Sequence, residues 1–195
     1  HMVVVTPTQT EFFTTDDYFD HMQTVPLSGN MVSAAPSYNG TRLVLGYNSS
    51  YFDIYDLSAN TNTWALTITV TQTSTIKSRE VFISPDGTVC AISDEYAYSD
   101  GTPNAIFLYT ISDGTSSTIV IDDYTIDNFY TQQLTKYVSL NADGTKLALS
   151  IGLHTYPIDG TAASHEHKIK LYEYSNGWTD SGSPFDGTSA VFSYD

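Results

Sequence analysis

The residues able to do chemistry gather in three stretches. These are Asp94 to Asn104 (DEYAYSDGTPN), Asp123 to Gln133 (DYTIDNFYTQQ) and Gly152 to His167 (GLHTYPIDGTAASHEH). Together they hold Tyr96, Tyr98, Tyr124, Phe129, Tyr130 and Tyr156, with Asp100, Asp127 and Asp159 among them. Tyrosine gives a large contact area at low entropic cost and adds a hydroxyl handle. Aromatic faces beside carboxylates also suit sugar rings, which stack through C–H faces and hydrogen-bond through hydroxyls. These nine residues are the candidate ligand-binding set. The plainer reading is that the aromatics pin their own loops down.

The third stretch also carries His154, His165 and His167. Three imidazoles in one loop can converge on zinc or another divalent ion. The spacing matches no established site, and in an extended segment His165 and His167 are expected on opposite faces. A solvated loop with incidental histidines is the simpler reading, so no metal and no cofactor is expected. Catalytic signatures are missing: there is no G-x-S-x-G elbow, no H-E-x-x-H and no phosphate loop. Carboxylates are plentiful, yet no pair stands out as a glycosidase couple. An enzyme is therefore not expected.

Composition narrows the partners. The formal charge is −15, with only seven Lys and Arg. Such a chain repels phosphate backbones, which argues against nucleic acid. No apolar run approaches the length of a membrane helix. The single cysteine, Cys90, sits in an apolar string and reads as a small buried residue. His1-Met2 looks like a cloning scar, so the natural N-terminus is expected to be cut away. Asn39-Gly-Thr and Asn48-Ser-Ser are formal glycosylation triplets, of the kind a Ser/Thr-rich chain throws up by chance.

Positioning these residues falls to a repeat. Asn39-Gly40, Asp86-Gly87 and Asp143-Gly144 each lie between apolar strings, the pattern of a two-residue hairpin turn. They are 47 and 57 residues apart, and each is followed by Thr and a strand: TRLVLGY, TVCAISD, TKLALSI. A second landmark follows, in YFDIYDLS, AIFLYTIS and KIKLYEYS, which align on Tyr55, Tyr109 and Tyr172. A short turn and a further strand complete each unit. No segment shows a helical period. Four strands per repeat of this length is the pattern of a β-propeller blade. A β-sandwich also has short strands, but does not need the same turn and the same Tyr strand three times in phase.

The phrase S-x-DGT-x-x-A-x-S, with YEYSNGW (Tyr172 to Trp178) after the third Tyr strand, resembles FG-GAP-like and WD40/YVTN-like propeller repeats. It looks most like those of microbial, algal and large-virus surface proteins. The resemblance spans about residues 27 to 195 and implies the fold more than a ligand. An integrin-type Asp-x-Asp-x-Asp-Gly calcium loop is missing, so calcium is not carried over. The WD40 Gly-His and Trp-Asp signatures are missing as well.

The expected architecture is an all-β propeller of about four blades, or a partial propeller completed by another chain. Residues 27–78, 79–134 and 135–187 form blades, and 188–195 the inner strand of a further one. Residues 1–26 supply strands that complete that last blade. In such a blade the 2–3 and 4–1 connections share one face, and all the long connections fall there. Loops on a rigid scaffold are where binding sits. The expected function is a non-catalytic binding module, engaging a protein or glycan outside a cell or on a virion. The alternative is a structural or assembly protein, a homo-oligomer joined through chain-end strands.

Overall fold

The alternating apolar strings become strands. The fold is that of a computed structural model, which describes residues 2–5, 9–13, 21–26, 29–72, 80–93, 104–121, 124–126, 129–157 and 164–192. Side chains are described over 9–11, 23–25, 29–72, 80–93, 105–119, 137–152 and 166–192. The described residues form no helix, and every strand pairing is antiparallel.

Four sheets follow one another along the chain. The first holds β1 (Met2–Val5), β2 (Gln9–Phe13) and β3 (His21–Pro26) in sequence order. The second is a meander of β4 (Met31–Pro36), β5 (Arg42–Tyr47), β6 (Tyr51–Ser58) and β7 (Thr63–Thr71). The third repeats it with β8 (Glu80–Ile83), β9 (Val89–Ser93), β10 (Asn104–Thr110) and β11 (Thr115–Ile121). The fourth runs β12 (Tyr124–Ile126), β13 (Phe129–Leu140), β14 (Lys146–Pro157), β15 (Ser164–Tyr174) and β16 (Trp178–Asp180), with β17 (Phe185–Asp186) also on β15.

The apolar core lies between the sheets in three layers. Leu43, Leu45, Tyr47, Tyr55 and Trp64 of the second sheet pack with Val25 of the first. The other side of the second sheet, Val44, Phe52, Ile54 and Val70, meets Val81, Cys90, Ile92 and Phe107 of the third. The third sheet's far side, Val89, Ala91, Ile106 and Leu108, meets Val138, Leu147, Leu149 and Tyr172 of the fourth. Strands buried on both faces explain the near-continuous apolar runs LVL and VCAI. Each large aliphatic side chain so buried contributes about 1.5–3 kcal/mol.

The repeated Tyr keeps its phase. Tyr55 packs in the layer shared with the first sheet, Tyr109 in the layer shared with the second, and Tyr172 in the layer shared with the third. Phe52 meets Tyr109 edge-on, with ring centroids 5.9 Å apart.

The Asn-Gly and Asp-Gly turns differ from the expected two-residue form. Ser37 N–H bonds the Arg42 carbonyl at 2.9 Å, so the first loop has four residues, 38–41. The same closure joins Ser84 to Val89 and Asn141 to Lys146. Gly40, Gly87 and Gly144 have φ of 66°, 76° and 68°, whereas Asn39, Asp86 and Asp143 are not in the left-handed region. A two-residue type I′ turn needs positive φ at both central positions. The reason lies in the side chains. Asp86 Oδ1 accepts from Thr88 N–H at 3.0 Å, Thr88 Oγ1 at 2.7 Å and Ser84 Oγ at 2.7 Å. Asn39 and Asp143 accept likewise from Thr41 and Thr145. This folds the Asp back over a right-handed turn and leaves only Gly to reverse the chain.

Successive turns also bond to each other. Tyr38 N–H reaches the Pro85 carbonyl at 3.1 Å, and Asp86 N–H the Ala142 carbonyl at 3.1 Å. Arg42 bridges the first two repeats: it forks onto Asp56 at 2.6 and 3.2 Å and donates to the Gly87 carbonyl at 2.5 Å.

The expected inner strand over 188–195 is not formed over 188–192, and 193–195 lie outside the described residues. The chain instead crosses the outer face of the fourth sheet. Ser150 Oγ donates to the Thr188 carbonyl at 2.7 Å, and Phe192 N–H to Ser139 Oγ at 3.2 Å. Residues 2–5, 9–13 and 21–26 form a three-stranded sheet of their own, β1-β2-β3, and among the described residues no C-terminal strand joins it.

Candidate functional site

Much of the polar, aromatic-rich sequence expected as loops is strand. Ser150 of β14 and Gly46 of β5 hold equivalent places after their turns. β5 ends at Tyr47, one residue on, and β14 continues to Pro157, seven residues on. β15 begins at Ser164, and β13 runs alongside from Phe129. At about 3.3 Å per residue, the hairpin extends roughly 20 Å beyond its second-sheet counterpart. The stretch Gly152 to His167 is thus largely a β-ribbon, with 158–163 outside the described residues. The stretch Asp123 to Gln133 holds β12 and the start of β13.

The register brings several candidates together. Tyr130 is the direct partner of Tyr156, and Phe129 of Pro157. Tyr124 faces Thr131 across the β12–β13 pair. Four of the nine candidates therefore sit within one end of the fourth sheet. Their backbones are described and their side chains are not. Tyr96, Tyr98, Asp100, Asp127 and Asp159 lie outside the described residues.

The histidines fall on the same ribbon. His154 is the direct partner of His165, and His167 the partner of Gly152. Strand residues two apart share a face, so the expectation that His165 and His167 face opposite ways is corrected. Among the described side chains no group of three or more His, Cys, Asp or Glu gathers as a metal site. The side chains of His154 and His165 are outside that set. His167 is exposed and lines an open cleft of about 430 Å³ with Asp186, Gly187 and Thr188. Beside it Lys168 binds Asp186 at 2.6 Å and Glu166 at 3.4 Å, and these carboxylates raise its pKa.

Sequence reasoning missed two features. A cleft of about 690 Å³ opens where β4, β8 and β13, the strands that lead into the three Gly turns, approach one another. It is lined by 32–36 of β4, 80–82 of β8 and Tyr137 of β13. The only hint in the sequence is the run of small residues Ser33-Ala34-Ala35. The second is a buried carboxylate. Asp53 is 1% exposed and accepts from Tyr47 Oη at 2.8 Å and Thr69 Oγ1 at 2.6 Å. Burial, and then the Asp53 charge, push the Tyr55 phenol above its ordinary pKa. The signal was an Asp between apolar strand residues of YFDIYDLS.

The outer face of the fourth sheet is partly open. Leu171 holds the place of Ile54 and Leu108. Those two are 0% and 2% exposed beneath a following sheet, and Leu171 is 37% exposed. Tyr137, Phe185 and Val191 are exposed as well, and Tyr137 and Phe185 share the Leu171 side of the sheet by register.

No known family model matches the chain, and no curated protein matches it. Solved structures resemble it in fold. A functionally unknown protein from Desulfotomaculum acetoxidans DSM 771 matches 95% of this chain and 80% of its own, at 13% identity and a TM-score of 0.50. Hydrazine synthase of Kuenenia stuttgartiensis matches 93% of this chain at 15% identity and a TM-score of 0.45; the chain spans 61% of that chain's length. The likeness to the Desulfotomaculum protein, at 13% identity, speaks for the all-β fold alone.

Proposed function

We propose that this chain is a non-catalytic β-propeller binding module that engages a protein or glycan through the β12–β15 ribbon, outside a cell or on a virion. The propeller reading is supported by β4, β8 and β13, the strands before the three Gly turns, lining a common cleft and by the constant phase of the inter-sheet layers. The observation that carries the binding reading is the register pairing Tyr130 with Tyr156 on a ribbon longer than its second-sheet counterpart. Aromatic residues grouped by strand pairing give contact area at a lower entropic cost than those of an unpaired loop.

The test is a glycan array, with a surface-protein panel beside it, probed with the full chain and with a Tyr130→Ser/Tyr156→Ser variant. Tyr38→Ser, altered at an exposed turn residue, is the control. Binding lost in the double variant and kept in the control supports the reading. No binding in either panel, or binding indifferent to the double variant, overturns it.

A second reading, an assembly protein, is favoured by the exposed Leu171, Tyr137, Phe185 and Val191. Light scattering across a concentration series separates the two. A mass staying at 21.4 kDa supports the module, and a rise to a multiple supports assembly.

A further inference from the structure

From the ribbon's register we infer that His154, His165 and His167 form a three-histidine site for a borderline divalent cation, zinc in the first place. The inference does not depend on the aromatic residues binding anything. It rests on three placements. His154 and His165 are direct cross-strand partners, whose Cβ atoms in an antiparallel pair lie about 4.5–5.5 Å apart. His167 is two residues from His165 on the same strand, on the same face and about 7 Å along it. Gly152 stands opposite His167, so the fourth corner of the patch carries no side chain.

Register positions about 5 and 7 Å apart put three histidines on one face of the ribbon, close enough together to serve one four-coordinate cation. Imidazole sets favour zinc, copper and nickel over magnesium or calcium. Three protein ligands leave a fourth position for water or a ligand atom. The face is open at this point, because His167 is exposed in the cleft it shares with Asp186 and Thr188. The cation would join β14 to β15 through side chains where the ribbon runs beyond the length of the second-sheet hairpin.

The experiment is zinc titration of the chelator-treated full chain by calorimetry at neutral pH, with 15N imidazole spectra recorded in parallel. The chain has five histidines, so His1 and His21 act as internal controls. The expected result is one zinc per chain, with the His154, His165 and His167 signals shifted and those of His1 and His21 unmoved. Affinity should drop at least tenfold in His154→Gln and in His167→Gln. The spectra need no variant, so misfolding of a variant does not blunt the test. No stoichiometric zinc, shifts confined to His1 or His21, or full affinity in both variants overturns the site.

Discussion

Asp86 donates its backbone N–H to the Ala142 carbonyl, 3.1 Å away and one repeat further along the chain. Tyr38 makes the matching bond to Pro85. The turns are therefore rungs of a ladder as well as ends of hairpins. Each must present its N–H and carbonyl groups to its neighbours while its own side chains hold its shape: Ser37, Asn39 and Thr41, then Ser84, Asp86 and Thr88, then Asn141, Asp143 and Thr145. The recurring residues serve both demands, which is why Gly stands at the third loop position every time.

Gly144 meets two constraints at once. Its φ is +68°, and a Cβ there would lie 2.5 Å from Val89 Cγ2 and 2.6 Å from Val89 Cβ. Gly114 has nearly the same φ, +71°, but its Cβ would touch only Tyr109 Oη at 3.6 Å. Gly114→Ala should cost about 1–2 kcal/mol, the left-handed penalty alone. Gly144→Ala adds overpacking against Val89 of the preceding repeat and should cost about 2–4 kcal/mol. Urea unfolding of both variants reads the difference, and equal losses would sink the ladder as a packing constraint.

Acid should loosen the turns. Hydrogen bonds from the Thr145 side chain and backbone hold the Asp143 carboxyl below its ordinary pKa of 3.8, and Thr115 does the same for Asp113. A group depressed in the folded state stabilises the fold above its unfolded pKa. That contribution is lost as pH falls below 3.8 and through the folded value. Asp143→Asn should keep the turn, since Asn39 fills the same place in the first repeat with the same acceptor bonds. The variant should match the parent at pH 3 more closely than at pH 7. Carbon-13 titration showing Asp143 at or above 3.8 would contradict this.

Cys90 should be chemically silent until the chain unfolds. Its side chain is 0% exposed between the second and third sheets, and burial pushes the thiol far above its ordinary pKa. The thiolate is the reactive form, and here it is suppressed twice over. A thiol reagent at pH 8 should label no protein in buffer and one thiol per chain in denaturant. Fast labelling of the folded chain would mean that the inter-sheet layer opens.

The strands of the stack were legible because burial on two faces writes itself as apolar runs such as LVL and VCAI. The ribbon was not. GLHTYP and SHEHK show no apolar alternation and read as loop, although backbone pairing sets their structure. The turns were found at the right residues with the wrong geometry. Asp-Gly marks a reversal, but the Ser before it and the Thr after it decide which kind. The cleft among β4, β8 and Tyr137 depends on strands about 50 residues apart coming together, which no local pattern states. The His154–His165 pairing likewise needed a register, and a register follows only from a fold.

Leu108 and Leu171 test the stack itself, since they are one position in consecutive repeats with different cover. Leu108 is 2% exposed between the third and fourth sheets, and Leu171 is 37% exposed on the outer face of the fourth. Truncating a buried Leu removes its transfer energy and leaves a cavity, so Leu108→Ala should cost about 2–5 kcal/mol. Leu171→Ala loses partial contact with no enclosed cavity and should cost below about 1 kcal/mol if the chain is a monomer. The comparison also reads the outer face. If Leu171→Ala approaches the Leu108→Ala loss, and the loss grows with protein concentration, another copy covers Leu171 in solution. If the loss is large but independent of concentration, the chain covers its own outer face more tightly than the exposure of Leu171 indicates. A small loss at every concentration leaves the face open and keeps binding on the ribbon.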